Sequence, residues 1–270
     1  MISKVNGSVK IGDTEMYYAR FGSGEKKLVV IPGLGDGLTT VKDKALFLAA
    51  PYKKFAADYT VYMFSRKNKM PEGYSIWQMA EDQFTAMTSL GIDKASVLGV
   101  SQGGMIAQKL AILHGEAVDK LILAVTTSYA NSVVKEAVGT WIKMAKEGDH
   151  LALTIDTAER MYSSDYLEKN SKYFPILAKF TKPKSYERFF RNAEAILDFD
   201  VRDELSHITC PTLIIAGDND KTVGNDAPRE LSQGIRNSEV FIYKGFGHGV
   251  FEECKDFYDK VLEFCNKDSK

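Results

Sequence analysis

Short continuous apolar runs alternate along the chain with stretches of helical period. Lys27 to Ile31, Tyr59 to Phe64, Ala95 to Val100, Lys120 to Val125, Pro211 to Ala216 and Val240 to Tyr243 each read as a buried strand bounded by turn residues. Lys4 to Phe21 instead alternates around Gly7 and Gly12-Asp13, which predicts an antiparallel hairpin at a sheet edge. Between the runs the period changes. Ser75 and Gln78 form a capping-box pair, Ile76, Met79, Ala80, Phe84 and Met87 share one face, and Gly91 stops the helix. Met105, Ile106, Ala107, Leu110 and Ile112 mark a second helix, ending at His114. Val41 to Ala57, interrupted by Pro51, predicts two short helical pieces. Strands alternating with helices give a mostly parallel, doubly wound sheet of eight strands.

From Thr126 to about Ser206 the strand pattern stops. Four helical segments follow: Ser132 to Lys146, Asp149 to Tyr162, Asp165 to Phe180 and Ser185 to Leu197. The expected organisation is therefore a core of residues 1–126 and 207–270, with a helical insertion, or cap, over 127–206 after the sixth strand. The insertion is rich in large apolar side chains, among them Trp141, Met161, Tyr162, Phe180 and Phe189. Most of these are expected to pack between helices and some to line a pocket. Lys179, Lys182, Lys184, Arg188 and Arg191 are read as a solvated face. Past the last strand, a closing helix carries Phe251, Phe257, Val261 and Leu262 on its apolar face.

At 270 residues and 44% hydrophobic, the chain is long enough for one well-buried α/β domain with an insertion. A net charge of -1, from 35 basic and 36 acidic residues, provides no global field for nucleic acid or anionic lipid. No apolar run reaches the roughly 20 residues that span a bilayer, and Met1 to Gly12 lacks a signal-peptide pattern. The expectation is a cytoplasmic protein with no nucleic-acid or membrane partner, its oligomeric state left open. Cys210, Cys254 and Cys265 are odd in number and widely spaced, so neither a disulfide framework nor a metal site is expected.

The candidate chemistry centres on Gly99-Val100-Ser101-Gln102-Gly103, where a strand runs into a helix with no room for a loop. Glycines two before and two after Ser101 remove Cβ atoms where the backbones crowd, so the serine can take a strained conformation and present its hydroxyl. A serine nucleophile needs a base. Of the four histidines, His114, His150 and His207 have structural explanations at segment ends, whereas His248 sits in Gly247-His248-Gly249, a loop expected to keep its ring mobile and exposed. The base needs a carboxylate to fix its tautomer. Asp218 and Asp220 both qualify; Asp220 is favoured because Asp218 lies in the turn after Gly217. Pro32-Gly33-Leu34-Gly35 leaves backbone N–H groups free, and the Leu34 N–H is a candidate oxyanion donor.

With these residues in place, the chain resembles α/β-hydrolase-fold proteins over essentially its whole length. The elbow, the order Ser, Asp, His, and the segment Pro211-Thr212-Leu213-Ile214-Ile215-Ala216-Gly217-Asp218-Asn219-Asp220 carry the resemblance. It implies Asp220 as the acid, three residues after Gly217, the Gln102 N–H as second oxyanion donor, and 127–206 as the cap (lid). Pro32-Gly33 replaces the family's frequent His-Gly, and Gly224 stands where Pro is common. The expected activity is that of a serine hydrolase: Ser101, His248 and Asp220 cleave an ester of a small or medium hydrophobic molecule, with no cofactor and no metal. Carbon-carbon bond hydrolases, thioesterases, amidases and perhydrolases use the same triad, and a slow receptor-like binder would keep it.

Overall fold

The computed structural model describes residues 3–267. Eight strands form one sheet: β1 (Lys4–Ile11), β2 (Thr14–Gly22), β3 (Lys26–Ile31), β4 (Tyr59–Lys67), β5 (Ala95–Val100), β6 (Val118–Ala124), β7 (Thr212–Gly217) and β8 (Ser238–Tyr243). Their order is β1-β2-β4-β3-β5-β6-β7-β8, antiparallel through β1, β2 and β4 and parallel from there on. The hairpin sits at the edge, as its alternation predicts, and the central strands β5 and β7 are buried except at Val100.

Helices cover both faces, and two separate apolar clusters result. The first main-domain helices are α1 (Ala45–Leu48), α2 (Ile76–Ser89) and α3 (Gln102–Leu113). On one face, α2 and α3 pack against Val29, Ile31, Val97 and Leu123. Ser75 caps α2, accepting from the Gln78 N–H while the Gln78 side chain accepts from the Ser75 N–H, an arrangement worth about 1 kcal/mol. His114, at the end of α3, stacks on Phe84 with centroids 3.7 Å apart and contacts Glu81, the structural role expected of it.

Five helices lie between β6 and β7: α4 (Ser132–Lys146), α5 (His150–Met161), α6 (Ser164–Asn170), α7 (Phe174–Thr181) and α8 (Glu187–Leu197). The single helix read over Asp165 to Phe180 is broken by a 3-10 turn, Ser171–Tyr173, with Pro175 in the first turn of α7, where the missing N–H costs nothing. Two further readings are corrected, and one helix goes unread. The segment 41–57 holds only the four-residue α1 followed by turns. A helix that the pattern did not reveal, α9 (Ala227–Gly234), joins β7 to β8 with only Ala227, Pro228 and Leu231 buried, too narrow a stripe to stand out. The closing helix is two, α10 (Val250–Glu253) and α11 (Phe257–Asn266). Buried Lys120 of β6 donates to the carbonyls of Phe264 and Cys265, satisfying the last turn of α11.

Candidate active site

Ser101 stands between β5 and α3 with φ 54° and ψ -120°, in the left-handed region that L-residues avoid. Three contacts hold it there. Its N–H donates to the Ala124 carbonyl at 2.9 Å, and its carbonyl accepts from Thr126 Oγ1 at 2.7 Å. The third is the crossing of α3 over β3: a Cβ on Gly103 would lie 1.9 Å from the Ile31 carbonyl oxygen, so this position admits glycine alone.

His248 and Asp220 meet on the loops after β8 and β7. His248 Nδ1 lies 2.8 Å from Asp220 Oδ2, and Asp220 Oδ1 accepts from the N–H groups of Thr222 at 2.8 Å and Val223 at 3.0 Å. These donors hold the carboxylate in one orientation. In the neutral form of the ring, an Nδ1 that faces an acceptor holds the proton and Nε2 keeps the lone pair. Asp218 is a turn residue, its Oδ1 accepting from the Gly245 N–H at 2.7 Å. One expectation fails: His248 is not exposed but only 4% accessible. The end of α5 covers its loop. The Met161 carbonyl accepts from the Gly249 N–H at 2.7 Å, and Tyr162 presses so closely that a Cβ on Gly249 would collide with its ring.

Ser101, His248, Gly33 and Leu34 line one cavity of about 470 Å³. Its walls are mainly apolar, formed by Val100, Met63 and Tyr258 from the main domain and Trp141, Leu153, Met161 and Phe189 from the insertion. Leu34 opens a 3-10 turn, Leu34–Gly37, and Gln102 opens α3, so each contributes a first-turn N–H that has no intrahelical acceptor. The Gln102 side chain points the other way, fully buried: Oε1 accepts from Arg66 Nη2 at 2.9 Å and Nε2 donates to the Asn192 carbonyl at 2.7 Å.

That contact belongs to a buried polar network the sequence reading missed. Asp36, in the turn that carries Leu34, accepts through Oδ2 from the Arg66 N–H at 2.9 Å and Arg188 Nη2 at 2.6 Å. Arg188 also donates to the carbonyls of Asp36, Arg66 and Lys67. It is therefore no part of a solvated face. Burial pushes the Arg66 guanidinium down to about 10, with Asp36 opposing that shift, so it stays charged at neutral pH. The available signal was an acid inside a glycine-rich turn, which reads equally as a turn former. Glu252 was missed as well: it lines the cavity, accepts from the Tyr162 hydroxyl at 2.5 Å, and is pushed above the usual carboxylate range by burial.

A strained serine at the carboxyl edge of a parallel sheet, sharing an apolar cavity with a His–Asp pair, is an arrangement suited to hydrolysis. Sequence comparison agrees. The chain belongs to the alpha/beta hydrolase fold family, which matches residues 28–254. It is 28% identical over 213 residues to the AB hydrolase superfamily protein YisY of Bacillus subtilis strain 168, covering 75% of this chain and 78% of that one. It is 25% identical over 246 residues to the putative carbamate hydrolase RutD of Stutzerimonas stutzeri strain A1501, covering 87% and 89%. Among solved structures, the enol-lactonase from Burkholderia xenovorans LB400 superposes with a TM-score of 0.83 at 22% identity, over 97% of this chain and all of the other.

Proposed function

We propose that this hydrolase is a serine esterase acting through an acyl-enzyme on a small or medium hydrophobic carboxylic ester. Ser101 Oγ attacks the carbonyl carbon as His248 Nε2 takes its proton, and Asp220 holds the ring and stabilises the imidazolium. The N–H groups of Leu34 and Gln102 receive the oxyanion. His248 returns the proton to the leaving alcohol, and water repeats the sequence to free the acid and Ser101. Residues 127–206 act as a cap whose α4, α5 and α8 side chains close the acyl pocket.

The observation carrying this reading is the 2.8 Å His248–Asp220 contact beside a strained Ser101 in one apolar cavity. The cavity's lining favours a hydrophobic acyl group over a sugar or peptide. The relative named as a putative carbamate hydrolase supports a second reading, since a carbamate carbonyl presents the same electrophile to the same serine. Turnover of p-nitrophenyl esters of graded chain length is the test. Steady turnover is expected, with kcat falling at least about 10³-fold in both Ser101→Ala and His248→Ala. Stoichiometric or no release, together with turnover of a carbamate, would move the assignment to the second reading.

A further inference from the structure

The helix α7 is apolar on both of its faces. Phe174 and Ala178, one turn apart, are buried against the rest of the insertion. Tyr173, just before the helix, and Ile176, Leu177 and Phe180 fall at i, i+3, i+4 and i+7 and form a second stripe that faces solvent. They are 54, 57, 50 and 81% exposed. Protruding Phe180 is the most exposed of the chain's exposed large apolar side chains among the described residues. Leaving such a stripe in water forfeits the burial that ordinarily justifies an apolar helix face.

The charge around the stripe identifies what covers it. From Lys169 to Tyr186 the chain has five lysines, Lys169, Lys172, Lys179, Lys182 and Lys184, and no aspartate or glutamate. All five are exposed. The ion pairs of helices α4 to α8 use Arg160, Arg188 and Arg191 and leave these lysines out, among the described residues. We infer that α7 is a docking element for an anionic lipid surface, with Ile176, Leu177 and Phe180 entering the headgroup boundary and the lysines contacting lipid phosphates. Lysine stems are long enough to lie along the apolar stripe while their ammonium groups reach the headgroups. A second copy of the chain is a poor occupant, because an isologous contact would set the lysine cluster against itself. No helix in the described residues is long and apolar enough to cross a membrane, so the contact is peripheral. It lies one helix from the cavity, since α7 packs on α5, whose Leu153, Thr157 and Met161 line the wall.

This inference is independent of the triad and is tested without turnover. The full chain is sedimented with vesicles of phosphatidylcholine alone or mixed with phosphatidylglycerol, at low and high salt. Binding is expected only to the phosphatidylglycerol vesicles, weakening as salt screens it. Lys179→Gln with Lys182→Gln is expected to lower the partition coefficient about 25-fold, roughly fivefold per charge. Ile176→Ser with Phe180→Ser should lower it at least as far, with the melting temperature unchanged because both side chains are already exposed. Three results would overturn the inference: no binding to anionic vesicles, binding that survives the serine pair, or sedimentation velocity showing a dimer that the serine pair converts to monomer.

Discussion

Glu252 shows how a single carboxyl can be set by its surroundings. It is crowded by protein atoms on the cavity wall, and that crowding raises its pKa although the Tyr162 hydroxyl hydrogen bond pulls the other way. A carboxyl whose folded value is raised stabilises the fold fully below its ordinary value of 4.5 and loses that contribution as pH rises through the raised value. Glutamine keeps the acceptor and does not titrate. Glu252→Gln is therefore expected to melt above the natural chain at pH 8, with the difference closing by about pH 4. Thermal melts of both proteins across that range check it; a constant offset would mean that the substitution acts through packing instead. Nothing in the sequence marks Glu252 apart from Glu253, which turns instead to Ser163. Ser101 was the opposite case, legible because glycine spacing and a strand-to-helix junction leave a local trace.

On the scale of elements, one helix of the insertion grips the turn that offers the Leu34 N–H. The Arg188 guanidinium of α8 binds Asp36 twice and two carbonyls of β4, so the position of the Leu34–Gly37 turn depends on a residue about 150 positions later in the chain. Arg188→Met leaves the Asp36 carboxylate, itself almost wholly buried, with an arginine partner removed, and is expected to cost about 3–5 kcal/mol in denaturant unfolding. Arg188→Lys restores the charge but not the fork of donors. In that variant kcat on the best p-nitrophenyl ester is expected to fall about tenfold or more with KM nearly constant, because a shifted donor weakens transition-state contact more than substrate binding. A purely structural role would leave kcat of the folded fraction unchanged. Sequence patterning read Arg188 as a solvated charge because helical period shows which positions share a face, not what lies opposite that face.

The whole molecule joins its two parts at the histidine. Met161 accepts from the Gly249 N–H, Tyr162 donates to Glu252, and Ser163 Oγ donates to Glu253, so the end of α5 and the start of α10 form one seam. Loosening of the 157–163 segment is therefore expected to loosen the His248 loop with it. Amide exchange in Tyr162→Phe with Ser163→Ala is expected to rise together over residues 157–163 and 248–253, while β5 and β6 keep their protection. Faster exchange confined to 157–163 would show that the two segments open separately.

The sequence by itself determined the eight strands, the hairpin edge, the run of helices between β6 and β7, and the local backbone settings of residues 101, 220 and 248 at strand ends. Each of these leaves a signal within a few residues: a continuous apolar run, a change of period, a glycine pair, or a fixed offset from a strand end. Tertiary structure alone decided the burial of His248, the network of Asp36, Arg66, Gln102, Arg188 and Asn192, and which side chains line the cavity. It also decided that α7 turns an apolar stripe outward. Those outcomes depend on which surfaces meet across gaps of tens to more than a hundred residues. Local period and propensity carry no record of such meetings.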